Sequence, residues 1–178
     1  MGFLIIIFLS FLILFSSFFL LFEICKVILP FLFWGAIYVP TKPEIVEKMI
    51  KFADIKAGDK AADLGSGDGR LIIALAKAGA EAHGYEISPF LVRLAKKNII
   101  KAELENKAFI HWKNLWNEDF SKFNIITIYG MGHMMKKLEF KLKKELKPGS
   151  RIISNAFTFP TWQPSKKEKN VYLYEQKV

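Results

Sequence analysis

The first hydrophobic run of the chain is long and almost free of polar residues. Residues 3–22 contain no charged side chain, and their polar members are Ser10, Ser16 and Ser17. At about 1.5 Å per residue, a run of this length matches a bilayer core of roughly 30 Å. The pattern therefore predicts a transmembrane helix within an anchor segment, residues 1–26. A cleaved signal peptide is the alternative, but no Lys or Arg precedes the run and no small-residue cleavage site closes it.

A second apolar stretch, residues 27–39, is too short for another membrane span and contains one Pro and one Gly. We expect it at the membrane interface, in a segment of residues 27–42, with Trp34 and Tyr38 at headgroup depth. A tight helical hairpin over residues 3–39 is the alternative.

Charge is confined almost entirely to the rest of the chain. Glu23 and Lys26 are the only charged side chains in residues 1–39, although the protein has 26 basic and 17 acidic residues and a net charge of +9. Apolar residues make up 52% of the chain, which excludes a disordered acidic protein. Because bases lie only after the apolar run, the positive-inside rule predicts a single-pass protein with residues 43–178 on the cytoplasmic side. The single Cys25 cannot form an internal disulfide.

Beyond Thr41, helical and extended hydrophobic patterns alternate. This is typical of an α/β fold, here a Rossmann-like, doubly wound and mostly parallel sheet. Thr41 with Glu44 indicates a capping box, and Ser88 before Pro89 indicates an N-cap and first helical residue. The predicted helices cover 43–53, 69–78, 89–104 and 132–146. The predicted strands cover 60–64, 81–86, 107–112, 123–129, 150–156 and 171–177.

A glycine-rich loop, residues 63–70 (DLGSGDGR), connects the first predicted strand to the next helix. Its spacing is not the G-x-G-x-x-G of dinucleotide-binding proteins, and the acids Asp63 and Asp68 flank it, which suits a cationic ligand better than a pyrophosphate. Glu86 ends the next strand, where it can accept hydrogen bonds from ribose hydroxyls. The alternative is an ordinary strand-to-helix turn with a helix-cap acid.

This loop and Glu86 resemble the class I S-adenosylmethionine-dependent methyltransferases. More narrowly, six segments together resemble the membrane-anchored protein-lysine methyltransferases that act on the adenine nucleotide translocase and the ATP synthase c subunit. These segments are 38–41 (YVPT), 63–70, 84–92 (GYEISPFLV), 114–116 (NLW), 134–146 (MMKKLEFKLKKEL) and 157–164 (FTFPTWQP).

The resemblance implies S-adenosyl-L-methionine as cofactor. In that family the loop encloses the methionine end, with Asp68 in the wall, and the acid at position 86 holds the ribose. At position 114 the family usually has Asp facing the adenine amino group, and the Asn of this chain still offers an amide oxygen. Thr41 would fold over the cofactor, or act only as an N-cap. The implied cofactor residues are Thr41, Asp63, Gly65, Ser66, Gly67, Asp68, Gly69, Glu86, Ile87, Asn114 and Leu115.

Four residues are candidates for the pocket of the methyl acceptor: Tyr129, His133, Phe159 and Trp162. Tyr129 and Trp162 could cradle a lysine ammonium, and His133 could relay its proton. The alternatives are aromatic packing and a surface histidine. Class I members have seven strands, one more than we predict here. The predicted elements therefore do not define the substrate-side rim. No His or Cys spacing indicates a metal site, so we expect no metal.

The leading hypothesis is a membrane-tethered enzyme that methylates lysine side chains of membrane proteins, with the lipid bilayer and a membrane-protein substrate as partners. A lipid or quinone methyltransferase is the first alternative. A non-catalytic membrane protein that binds RNA is the second, although we expect no nucleic-acid partner because the chain lacks aromatic RNP motifs. The lysine-rich helix 132–146 is either a solvated face or attracted to anionic lipid headgroups.

Overall fold

The computed structural model describes residues 2–34 and 38–177. The chain divides into two compact units, Met1–Ile37 and Tyr38–Val178. The first consists of helix α1, Gly2–Trp34, which is uninterrupted and therefore contains no hairpin turn. Within α1, Ile6–Cys25 is apolar and long enough to cross a membrane, with mean hydropathy 2.4 and no buried side chain.

The second unit is an α/β domain whose elements agree closely with the predicted ones. Its helices are α2 (Pro43–Ala53), α3 (Arg70–Lys77), α4 (Pro89–Lys101) and α5 (Gly132–Glu145), with a 3-10 turn at Leu115–Asn117. Its strands are β1 (Lys60–Leu64), β2 (Glu81–Glu86), β3 (Ala108–Trp112), β4 (Ile125–Ile128), β5 (Arg151–Asn155), β6 (Lys166–Glu168) and β7 (Val171–Glu175).

The seven strands form one sheet in the order β3-β2-β1-β4-β5-β7-β6. The five strands from β3 to β5 are parallel, and β7 is antiparallel to both of its neighbours. The order reverses direction at β1, so the crevice beyond the carboxyl ends of β1 and β4 is the expected ligand position in such a sheet. This is the class I methyltransferase fold that the sequence predicts.

Alternate residues of the central strands face two separate cores. Ala61 and Ile125 pack with α2, α3 and part of α4 on one face of the sheet. Ala62 and Ile126 pack on the other face, mainly against α5 and the aromatic pair Phe120 and Phe123. Since β4 is buried on both faces, three of its four residues are apolar and none is charged.

Two expectations about local structure are wrong. The sheet has seven strands rather than six, because Lys166–Glu168 forms an edge strand within a stretch polar enough to predict a loop. Thr41 does not cap α2: the N-cap is Lys42, without a side-chain cap bond, and the Thr41 carbonyl instead accepts from Arg70. The Ser88 cap is confirmed, since its side chain accepts from the Leu91 amide.

Candidate functional site

The glycine-rich loop turns sharply between β1 and α3 and is held by the neighbouring strand. The Gly65 and Ser66 amides both donate to the Tyr85 carbonyl, at 2.9 and 3.2 Å. Gly65 has φ +79°, and a Cβ added there would meet nothing within 4 Å. At Gly67, φ is +55° and an added Cβ would lie 2.7 Å from Cε2 of Tyr38. One side of the loop is therefore open to a ligand, and the other is covered by the Tyr38 ring.

The Glu86 carboxylate is buried at the end of β2 and organises the loop. Its Oε1 accepts from the amides of Ile87 and Ser88, at 2.9 and 2.8 Å. Its Oε2 accepts from the Gly67 amide at 2.9 Å. Since a carboxylate offers about four acceptor positions, Oε2 retains one for a ligand hydroxyl.

Asp63, at the end of β1, is 4% exposed and accepts a hydrogen bond from the Thr127 hydroxyl at 2.7 Å. Burial raises the pKa of Asp63 to about 7; the Thr127 hydrogen bond opposes this rise, and the charges of Glu86 and Asp68 add to it. Two acids close together in a buried crevice disfavour ionisation of one of them. A cation placed between them would reverse that effect, which fits the predicted cationic ligand.

Asp68 instead forms an ion pair with Arg70. The guanidinium donates to both Asp68 oxygens, with Nη2 to Oδ2 at 2.7 Å, and Nη1 donates to the Thr41 carbonyl at 2.7 Å. Burial opposes ionisation of Asp68, but the hydrogen bonds from Arg70 outweigh it and hold the pKa of Asp68 below its usual value. The pKa of Tyr38 is raised by burial and then by Asp68. Arg70 thus joins residues 38–41 to the loop, a role that the sequence analysis did not assign.

Ser66 has a buried hydroxyl without a hydrogen-bond partner, alone among the buried side-chain polar atoms of the described residues. It lies against Gly84, where a Cβ would come 2.6 Å from the Ser66 Oγ. A buried hydroxyl normally has a hydrogen-bond partner. Its lack of one here, in the same loop as Gly65 and Gly67, is consistent with a site for a polar ligand.

The remaining predicted cofactor residues lie along the same edge of the sheet. Ile87 follows β2, and its carbonyl accepts from the Trp112 indole at 2.9 Å. Asn114 caps the 3-10 turn that begins at Leu115, and its Oδ1 accepts from the Trp116 amide at 3.1 Å. The amide oxygen expected to face adenine thus already has one local donor.

The four acceptor-pocket candidates are divided between two places. Tyr129 follows β4, and its ring lies 6.5 Å from that of Phe157. Phe159 is buried, and its ring contacts those of Trp162 and Tyr174 at 5.6 and 4.8 Å. Phe159 and Trp162 therefore belong to the packing around Tyr174, so the aromatic partner of Tyr129 is Phe157 rather than Trp162.

His133 is exposed in the first turn of α5, close in sequence to Tyr129. The other two histidines form a half-buried pair: His83 Nδ1 lies 2.9 Å from His111 Nε2, and His83 also contacts Glu81. Burial and the neighbouring His83 lower the pKa of His111. Within residues 2–34 and 38–177, no group of three His, Cys, Asp or Glu side chains has a metal-binding arrangement.

The residues present fit S-adenosyl-L-methionine. The open face of Gly65 leaves room for a ligand at the backbone, Asp63 and Glu86 provide negative charge on adjacent strands, and the Ser66 hydroxyl lacks a partner.

Comparison with known proteins agrees with this geometry. The family model of the ANTKMT methyltransferase domain matches residues 63–166. The rat lysine N-methyltransferase of the ATP synthase c subunit is 38% identical over 139 residues, 78% of this chain and 61% of that protein. A protein-lysine N-methyltransferase of Saccharolobus islandicus is 36% identical over 147 residues, 77% of this chain and 91% of that protein.

A solved structure supports the fold independently. The RNA methyltransferase of Salinibacter ruber, in complex with S-adenosyl-L-homocysteine, superposes with a TM-score of 0.75 at 32% identity over 78% of this chain and 94% of that one. The chain spans less than two thirds of the first vertebrate relatives that it matches. The family model covers more than half of the sequence, and this chain belongs to the ANTKMT methyltransferase family.

Proposed function

We propose that the protein is an S-adenosyl-L-methionine-dependent methyltransferase that N-methylates lysine side chains of membrane proteins. The observation that carries the proposal is the pair of buried carboxylates, Asp63 and Glu86, at the carboxyl ends of adjacent parallel strands beside an open glycine loop. Membership of a family whose relatives are named lysine N-methyltransferases supports the acceptor class.

The chain would hold the cofactor through charge and backbone contacts. Glu86 Oε2 would accept from a ribose hydroxyl while Gly67 keeps that oxygen in place. Asp63 would face the amino group of the methionine part, whose positive charge favours the ionised form of the acid. When bound, the cofactor supplies an electrophilic methyl group on a sulfonium, so the protein needs no nucleophile of its own.

The acceptor lysine must lose a proton before its amine can attack, because its unperturbed pKa is about 10.4. The aromatic walls provided by Tyr129 and Phe157 would favour the neutral amine by desolvation. Positioning the amine against the methyl group supplies much of the rate in such a displacement. His133, exposed in the first turn of α5, would accept the proton that the lysine releases.

Helix α1 would tether this domain to a bilayer, with Ile6–Cys25 as the span. A tether raises the effective concentration of membrane-bound acceptors around the site. The proposed substrates are therefore proteins with a lysine close to the membrane surface, and the proposed topology is single-pass with the domain on the cytoplasmic side.

The experiment is a methyl-transfer assay with the full chain in lipid nanodiscs, radiolabelled cofactor, and host membranes as acceptor. We expect label on protein, mapped to lysine by mass spectrometry, and its loss in Glu86→Gln but not in Glu105→Gln, an exposed acid outside the site. Label that extracts into organic solvent would instead identify a lipid or quinone acceptor.

RNA is the second candidate acceptor, because the Salinibacter neighbour is described as an RNA methyltransferase. The same assay with total RNA, followed by nuclease digestion, distinguishes an RNA acceptor from a protein lysine acceptor. Nuclease-sensitive label without label on lysine would overturn the lysine proposal.

A further inference from the structure

The outer face of α5 combines a row of lysines with an exposed phenylalanine. From Lys136 to Lys144, at 3.6 residues per turn, the exposed positions fall within an arc of about 120° and extend roughly 12 Å. They are Lys136, Lys137, Phe140, Lys143 and Lys144, and the exposed Lys147 follows two residues after the end of the helix. We refer to this set as the α5 stripe.

Of the two acids of α5, one pairs with a stripe lysine, Lys143, and the other pairs with a lysine outside the stripe. Glu139 is buried and accepts hydrogen bonds from the Lys143 ammonium and the Thr161 hydroxyl. Glu145 forms an ion pair with Lys141 at 2.6 Å. Within residues 38–177, the structure gives Lys136, Lys144 and Lys147 no ion pair. The stripe therefore carries a net positive charge, which an anionic surface would complement.

Aromatic side chains accompany these cations. Phe140 is 74% exposed, at the centre of the stripe. Lys137 lies over the Trp116 ring at 4.4 Å, and Lys143 lies over the Trp162 ring at 5.3 Å. A large exposed apolar group among bases, with tryptophans on both flanks, is the composition of protein surfaces that bind the headgroup region of a bilayer.

We propose that the α5 stripe docks on an anionic lipid surface, with Phe140 inserted between headgroups. The inference rests on the proposed membrane tether, because a tethered domain meets the bilayer at high effective concentration. Each base near such a surface contributes about fivefold to the docking equilibrium. Since α5 begins three residues after Tyr129, docking by this face would bring the proposed acceptor pocket close to the membrane.

Lysine footprinting of the full chain tests the proposal. The chain is placed in nanodiscs of phosphatidylcholine, alone or mixed with phosphatidylglycerol, and briefly treated with an acylating reagent before mass spectrometry. We expect Lys136, Lys144 and Lys147 to react about fivefold or more slowly in anionic discs, and high salt to remove this protection. The exposed Lys96, Lys97 and Lys101 of α4 are internal controls whose rates should not change.

Two charge-reversal variants distinguish the effect of the α5 stripe from the effect of the protein's overall positive charge. Reversal to Glu at positions 136, 144 and 147 should remove the protection of Lys137 and Lys143, whereas reversal at 96, 97 and 101 should leave it intact. Equal rates in both lipids would overturn the proposal, as would equal protection by RNA added to neutral discs. A chain that does not stay bound to either kind of disc would overturn only the proposed tether. The same footprinting with anionic vesicles would then test whether the α5 stripe binds anionic lipid.

Discussion

The carboxylate of Asp63 and the hydroxyl of Thr127 lie 2.7 Å apart, on paired positions of β1 and β4, and both residues are buried. This one hydrogen bond does not compensate for burying a charge, since the pKa of Asp63 is still raised to about 7. The acid therefore destabilises the ligand-free domain at neutral pH. Residues that act on a ligand often carry such a cost, because the ligand removes it.

Replacement of Asp63 by Asn should stabilise the ligand-free protein at pH 8. The unfolded acid ionises near pH 4 and the folded acid near pH 7, so the free energy of unfolding falls as pH rises between these values and is level above them. Removing the charge should restore up to about 4 kcal/mol at pH 8 and almost nothing near pH 4. Denaturant unfolding at several pH values measures this, with Glu105→Gln as the exposed control. An Asn variant less stable than wild type at pH 8 would contradict the account.

Cofactor affinity should increase with pH up to about 7 and then level off. Asp63 must be ionised to face an ammonium group, so binding below pH 7 has to remove its proton. Calorimetry with S-adenosyl-L-homocysteine between pH 5.5 and 8.5 should show about tenfold weaker binding for each unit below pH 7. In Asp63→Asn the affinity should be weak and independent of pH. The same dissociation constant at pH 6 and pH 8 in the wild type would be incompatible with this role.

Arg70→Lys should weaken cofactor binding more than it slows turnover at saturating cofactor. Lysine cannot bridge Asp68 and the Thr41 carbonyl as the guanidinium does, so residues 38–41 would lose their attachment to the loop. We expect the KM for the cofactor to rise about tenfold, as for loss of a charge-assisted hydrogen bond, with kcat within about twofold. Arg93→Lys, on the exposed face of α4, is the matched control. A fall in kcat with an unchanged KM would place Arg70 in another role.

Tyr129 and Trp162 should respond differently to substitution. Tyr129→Ala should reduce kcat more than cofactor affinity, because it removes one of the two aromatic walls, Tyr129 and Phe157, proposed for the acceptor lysine. Trp162→Ala should instead cost about 3 kcal/mol of stability, since its ring packs against Phe159 and Tyr174. Steady-state kinetics and denaturant unfolding on both variants measure the two effects. The opposite pattern would move the acceptor pocket to Trp162.

Much of the fold follows from the sequence because buried strands and helices carry their own hydrophobic periods. The bounds of α2, β1 and β2 match the predicted ones, and the capping chemistry at Ser88 fixes the start of α4. The edge strand β6 has no such period: Lys166, Lys167 and Glu168 are all exposed, and only pairing with β7 makes them a strand.

The same limit applies to the site. Residues of the glycine loop are contiguous, and Glu86 ends the adjacent strand, so spacing alone brings them together. The contact of Arg70 with Thr41 joins positions 29 apart, and Phe157 reaches Tyr129 from the end of another strand. Pairs of this kind depend on how the helices, strands and loops pack together. The hydrophobic periodicity of the sequence carries no information about that packing.

The central claim is that Asp63 and Glu86 hold a positively charged nucleoside, and calorimetric titration with S-adenosyl-L-methionine tests it most directly. Wild type and Glu105→Gln should bind with equal affinity. Glu86→Gln should bind at least about tenfold more weakly, because an amide replaces the acceptor that Gly67 and the ribose share. Unchanged affinity in both Glu86→Gln and Asp63→Asn would contradict the account.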